Sequence, residues 1–182
     1  MSRYIVESEE YRGHKIEILL DECAENPRTE WDNLCELHVV DSRYYLGEHR
    51  HKDVGEITDV VEEAEKHGDM VLWLHAYIHG CVVLSLRPFY GRVPGYHAEF
   101  DSGCCGVCIV RKSKALSEFG GKRWTKKIRE KVYKIAEAEV ETFTKWLNGE
   151  VYGFRIDDGD GDSCWGFYSI GEALAEARSC ID

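Results

Sequence analysis

Cys164, His79 and Asp101 are the residue types that thiol catalysis requires: a nucleophile, a base and a carboxylate. A cysteine attacks as its thiolate, so it needs a base within hydrogen-bond reach and a third group that sets the tautomer of that base. Asp162 is an alternative orienting group. Cys164 stands in Asp162-Ser163-Cys164-Trp165-Gly166-Phe167-Tyr168, His79 in His79-Gly80, and Asp101 in Asp101-Ser102-Gly103. All are expected at turns or strand ends, where catalytic groups often sit. The plainer reading is a thiol buried beside Trp165 and a histidine that caps a hairpin, because free cysteine packs as a small hydrophobe.

Other patterns suggest other chemistry. Cys105-x-x-Cys108, with Cys104 and one of His97, His49 or His51, has half the spacing of a zinc knuckle, but no second pair follows. In a strand, Cys104, Gly106 and Cys108 would share one face while Cys105 pointed away, so structural thiols are the expectation and no metal is assigned. Asp158-x-Asp160-x-Asp162 matches the first ligand positions of a calcium loop, but Ser163 replaces the required glycine and Ser169 the bidentate glutamate. A solvated hairpin turn explains it better. Lys122, Arg123, Lys126, Lys127 and Arg129 could contact phosphates, with Trp124 stacking on a base. Positive charge at a helix start opposes the helix dipole, so the same stretch calls for a partner or an acidic neighbour. No glycine-rich phosphate loop or serine-centred nucleophile elbow is present, and no cofactor is implied.

Charge is unevenly spread over the 182 residues. Arg111 to Lys134 holds ten basic and two acidic residues, whereas the whole chain carries −11. An acidic body with one basic segment disfavours general nucleic-acid binding but leaves residues 122–134 as a local candidate. Hydrophobic content of 43% and aromatic content of 12% are those of a globular protein. No apolar run approaches the ~20 residues that span a bilayer, and the start lacks the pattern of a secretory signal. A soluble protein of the cytoplasm is therefore expected, and its eight cysteines are expected to be free.

The elements that must position these residues follow from periodicity and punctuation. Tyr11 to Leu20 ends in an alternation that predicts a strand with one buried face, and Leu34 to Val40 predicts a second. Asn26-Pro27 starts a helix of a turn or two. Arg43 to Gly55 reads as a loop, and Thr58 to Lys66 as an amphipathic helix capped by Thr58 and stopped by Gly68. Met70 to His79 and Cys81 to Leu86 form a hairpin around His79-Gly80. Arg87 to Gly95 is an irregular loop, and Gly106 to Val110 a strand. Ile128, Val132, Ile135, Ala136, Val140, Phe143 and Leu147 make one stripe, predicting a long helix from about Thr125 to Leu147. Val151 to Ile156 and Ser163 to Tyr168 pair as a hairpin, and Ser169 to Glu172 has capping-box spacing for a C-terminal helix. Strands and helices do not alternate regularly, which excludes a doubly wound parallel sheet. The expectation is α+β: a single domain over residues 1–182, with a largely antiparallel sheet, one long amphipathic helix and a C-terminal helix.

Several separated motifs, in order, resemble an uncharacterised family of phage and mobile-element proteins. They are Asp21-Glu22, Asn26-Pro27-Arg28, Trp31-Asp32-Asn33-Leu34, Arg43-Tyr44 with Leu46-Gly47, Tyr77 with His79-Gly80, and Asp101-Ser102-Gly103 with Gly106. Gly149-Glu150-Val151-Tyr152-Gly153-Phe154 and the Asp162 to Tyr168 run complete the set. Phe100 and Cys35 depart from that pattern, standing where a Trp and a Gly are usual. The resemblance implies an accessory protein acting in the cytoplasm of a host cell and brings no known activity. Function is accordingly expected to be binding of a host macromolecule, most simply a host protein, with counter-defence inhibition as the concrete version. A thiol-dependent hydrolase or transferase centred on Cys164 is the alternative, and nucleic-acid binding through the basic helix the third.

Overall fold

β2 (His14–Leu20) is buried from Ile16 to Leu19, and the first core is built on it. In a computed structural model, which describes residues 4–157 and 160–182, β2 lies between β1 (Ile5–Tyr11) and β8 (Tyr152–Ile156), and β9 (Ser163–Phe167) closes the sheet. All three pairings are antiparallel. Ile16 and Ile18 on β2 and Phe154 and Ile156 on β8 pack with Ala173, Leu174 and Ala177 of α6 (Ile170–Ile181). Each of these large apolar side chains contributes about 1.5–3 kcal/mol by leaving water. The opposite face of β2 is not the solvated face the alternation predicts, because Leu19 is buried and Glu17 is 1% exposed. Glu17 is tolerated there because Lys15 Nζ and Arg155 Nε reach its carboxylate at 2.6 and 2.5 Å. Ser169 caps α6 as its spacing predicts, accepting the Glu172 amide at 3.1 Å. Residues 1–26 and 145–182 make up this compact unit, and residues 27–144 make up another.

In the central unit five strands are ordered β4 (His49–His51), β3 (Cys35–Val40), β7 (Ser102–Val110), β5 (Met70–Ile78) and β6 (Val82–Ser85). Every pairing is antiparallel except β3 with β4. α2 (Val54–His67) covers one face, where Ile57 and Ala64 pack with Val107 and Ile109. The stripe of α5 (Lys126–Leu147) buries Val132, Ala136, Val140 and Phe143. α1 (Pro27–Glu30), α3 (Gly95–Phe100) and α4 (Lys112–Glu118) are short. The class is α+β with largely antiparallel sheets, the long helix and the C-terminal helix, as expected, while the strands divide between two sheets.

Several local expectations need correction. α2 begins at Val54 and is capped by Asp53, whose Oδ1 accepts the Glu56 amide at 3.1 Å. Thr58 is inside the helix, its hydroxyl donating back to the Val54 carbonyl at 2.9 Å. The segment 43–55 is not all loop, since it holds β4 and the first turn of α2. β7 starts at Ser102 rather than Gly106, because a bulge opposite Leu74 and His75 lets the strand continue past Cys105. That bulge resets the alternation: Cys104 pairs with His75, on the face opposite to Gly106 and Cys108.

Candidate functional site

His79 follows β5 at a turn completed by Gly80 at φ 76°, and Asp101 ends α3 just before β7. The Ile78 amide donates to the Asp101 carbonyl at 2.8 Å, which fixes the two chain segments side by side. Asp101 Oδ2 then accepts from His79 Nδ1 at 3.0 Å. The same oxygen accepts from His97 Nδ1 at 2.8 Å. His97 sits one helical turn before Asp101, an i,i+4 pair. The bond from His97 and then that from His79 hold the Asp101 carboxyl below the usual carboxylate range, against the effect of desolvation. An ionised carboxylate only accepts, so both imidazoles donate to it through Nδ1. The His79 side chain is 57% exposed. Tyr77 stacks beside it at 6.2 Å between ring centroids and packs on Phe89 at 5.5 Å. Burial raises the Tyr77 hydroxyl above its ordinary value, with Asp101 adding to the effect.

Asp101 also borders a cleft of about 480 Å³ whose walls include Arg43, Tyr44, Leu46, Phe100, Ser102 and Cys104. The thiols around it do not converge. Cys105 lies in the bulge with its Sγ 3.5 Å from the Leu74 carbonyl, and burial pushes its thiol up to about 12. Cys108 is fully buried. Its neighbour Cys35 is raised well above the usual thiol range by the hydrogen bond to Cys108, then by burial. Among the described residues, the groups able to converge on a cation contain no cysteine.

The remaining candidates are placed as follows. Cys164 lies on β9 in the unit formed by the chain ends, opposite Phe154. It is exposed, so the buried thiol of the plainer reading is not what the fold makes. Trp165, one residue on, turns to the other face and covers Gly153, where an added Cβ would stand 2.2 Å from the indole Cε3. His79 and Asp101 belong to the central unit. Asp158, the first position of the calcium-like run, lies outside the described residues.

Lys122, Arg123, Lys126, Lys127 and Arg129 are exposed. Trp124 is committed: its Nε1 donates to the Gly68 carbonyl at 2.8 Å and the Arg129 guanidinium covers its ring at 5.2 Å. The acidic neighbour that the helix start called for is present, because Glu65 and Asp69 line the same 890 Å³ cleft as Lys126, Arg129 and Lys134.

The sequence reading did not single out His97 as a partner of Asp101, or Arg28 as a buried cation. The i,i+4 spacing of His97 and Asp101 was the available signal for the first. Nothing local marked Arg28, whose partners Glu48 and Glu139 are 20 and 111 residues away. No helix among the described residues is long and apolar enough to cross a membrane. Comparison with protein families, curated proteins and solved structures finds no match to this chain.

Proposed function

We propose that the protein acts by binding a protein of a host cell, as an accessory factor of a phage or mobile element, with counter-defence inhibition as the concrete version. The observation that carries this reading is a concentration of exposed aromatics in two segments of the central unit. Tyr45 is 65% exposed in one segment, and Tyr90, Tyr96 and Phe100 are 71%, 65% and 81% exposed in the other. The segments meet at the cleft that Tyr44 and Phe100 both line. Arginines sit over neighbouring rings: Arg43 over Tyr44 at 4.6 Å, Arg50 over Tyr45 at 4.3 Å and Arg92 over Phe89 at 5.2 Å. Tyrosine and arginine held in this way are the residue types that dominate binding energy at protein interfaces. Large aromatics left in water without such a role are unfavourable. The resemblance of the motifs supplies the host context.

The test is affinity capture from host lysate together with growth of the cognate phage. Tyr45→Ala and Phe100→Ala are each expected to weaken capture of the same partner by about 10-fold or more while leaving the fold intact. A wild-type protein that retains no partner and leaves phage growth unchanged would refute the reading.

The exposed thiol of Cys164 favours a second reading, a thiol-dependent hydrolase or transferase centred on that residue. The two readings diverge on one substitution. Under binding, Cys164→Ala leaves the effect on phage growth at the wild-type level, and under thiol chemistry it abolishes that effect, because the nucleophile is gone. Nucleic-acid binding through residues 122–134 ranks below both, since the Trp124 ring is already covered by Arg129.

A further inference from the structure

β3 and β4 run parallel, with His38 opposite His49 and Val40 opposite His51. Side chains alternate along a strand, so His38, His49 and His51 stand on one face of the sheet, and Glu36, two residues before His38, joins them. The His38 ring is stacked on His49 at 4.5 Å and on His51 at 5.3 Å between centroids. His38 is 7% exposed.

The polar contacts of this cluster are directional. His38 Nδ1 lies 3.0 Å from His51 Nε2. On the far side of His51, Nδ1 faces Glu56 Oε2 at 3.8 Å. Ligation through His38 Nε2 uses the tautomer in which His38 Nδ1 donates to His51 Nε2. His38 Nε2 then carries a lone pair, and it faces Glu36 Oε2 at 3.4 Å. That separation is long for an N–H···O bond. It matches the edge of a tetrahedral zinc site, where ligand atoms about 2.0–2.1 Å from the ion stand about 3.3 Å apart. The ligand atoms of Glu36, His38 and His49 all lie within 4.8 Å of one another. His49 is exposed and can turn to close the remaining gap. Glu36 is itself held in place, its Oε2 accepting from Arg111 Nε at 3.1 Å, while Arg111 Nη1 is tied to Asp69 at 3.2 Å.

We propose that Glu36, His38 and His49 bind one divalent transition-metal ion of the zinc class, with the fourth position open to solvent beside His49. His51 is a positioning residue that orients the His38 ring through the 3.0 Å contact of its Nε2. The ligand set, two imidazoles and one carboxylate, is borderline between hard and soft and suits zinc or cobalt better than calcium or magnesium. The Arg111 charge opposes a second positive charge at Glu36, so the site is tuned to be weaker than one without that arginine.

The experiment uses the full chain, stripped of metal and kept reduced, with zinc affinity measured by competition against a chromophoric chelator. One equivalent of zinc is expected to bind. His49→Ala, at an exposed position that leaves folding untouched, should weaken it at least 10-fold, and His51→Ala should weaken it by about 10-fold through the lost second shell. The double substitution His79→Ala/His97→Ala should leave it unchanged. Cobalt should give the visible bands of a tetrahedral nitrogen–oxygen site. Failure to bind stoichiometric zinc, an affinity unaffected by His49→Ala, loss in the His79/His97 variant, or a cobalt spectrum with thiolate charge-transfer absorption would each overturn the assignment.

Discussion

Arg28→Ala is expected to destabilise the central unit by about 3–5 kcal/mol, the range found when one partner of a buried ion pair is removed. The Arg28 side chain is 1% exposed, and Nε and Nη2 grip the two oxygens of Glu48 at 3.0 and 2.6 Å. Nη2 also donates to the Cys35 carbonyl at 2.6 Å, and Nη1 reaches Glu139 at 3.3 Å. The carboxylates have further duties. Glu139 accepts the Leu34 and Cys35 amides, and Glu48 accepts the Leu37 amide, so together they hold the start of β3. Burial works against the charge on Arg28, and Glu48 with Glu139 overcomes it, so its pKa is raised. Truncation would leave two poorly solvated carboxylates facing each other without a counter-ion. Urea unfolding should show a lower midpoint with an unchanged slope. Arg28→Lys should recover only part of the loss, because an ammonium cannot reproduce the fork. A midpoint within error of wild type would contradict the network. Asn26-Pro27-Arg28 thus does more than begin a helix, since its arginine is the internal counter-ion of this unit.

Gly106→Ala is expected to be nearly as damaging, about 3 kcal/mol, or to prevent folding. Gly106 pairs with Val39 across β3 and β7, and an added Cβ would stand 2.1 Å from the His38 carbonyl oxygen and 2.8 Å from Val39 Cα. Both obstacles are backbone, so no side-chain rotation relieves them, and the paired strands must move apart. Gly103, on the same strand, has nothing within 4 Å of such a Cβ. Gly103→Ala should therefore change stability by no more than about 0.5 kcal/mol. Thermal unfolding of the two variants side by side checks the contrast, and equal effects would show that β7 does not approach β3 this closely.

What was legible in the sequence is what local physics determines. The α5 stripe, the Ser169 cap of α6, the Gly68 stop of α2 and the β8–β9 hairpin are each written within one continuous local segment. The elements that escaped reading lack a local signature. β1 is an edge strand of mostly exposed, acidic residues and needs no apolar alternation. β4 is a three-residue edge strand beside β3, and α3 and α4 are too short for a periodic stripe to declare itself.

The sites follow the same division. The sequence alone determined which residues have useful chemistry: His79 and Asp101, the cysteines, and the basic run from Lys122. Only the tertiary structure decided which of them meet. A hydrogen bond across β5 and β7 brings Asp101 to His79, a parallel register stacks His38 on His49, and a bulge turns Cys104 away from Cys108. Such convergence depends on strand register and on contacts between residues far apart in the chain. Residue type and spacing carry no direct record of either, because a shift of one residue in register moves every side chain of a strand to the other face.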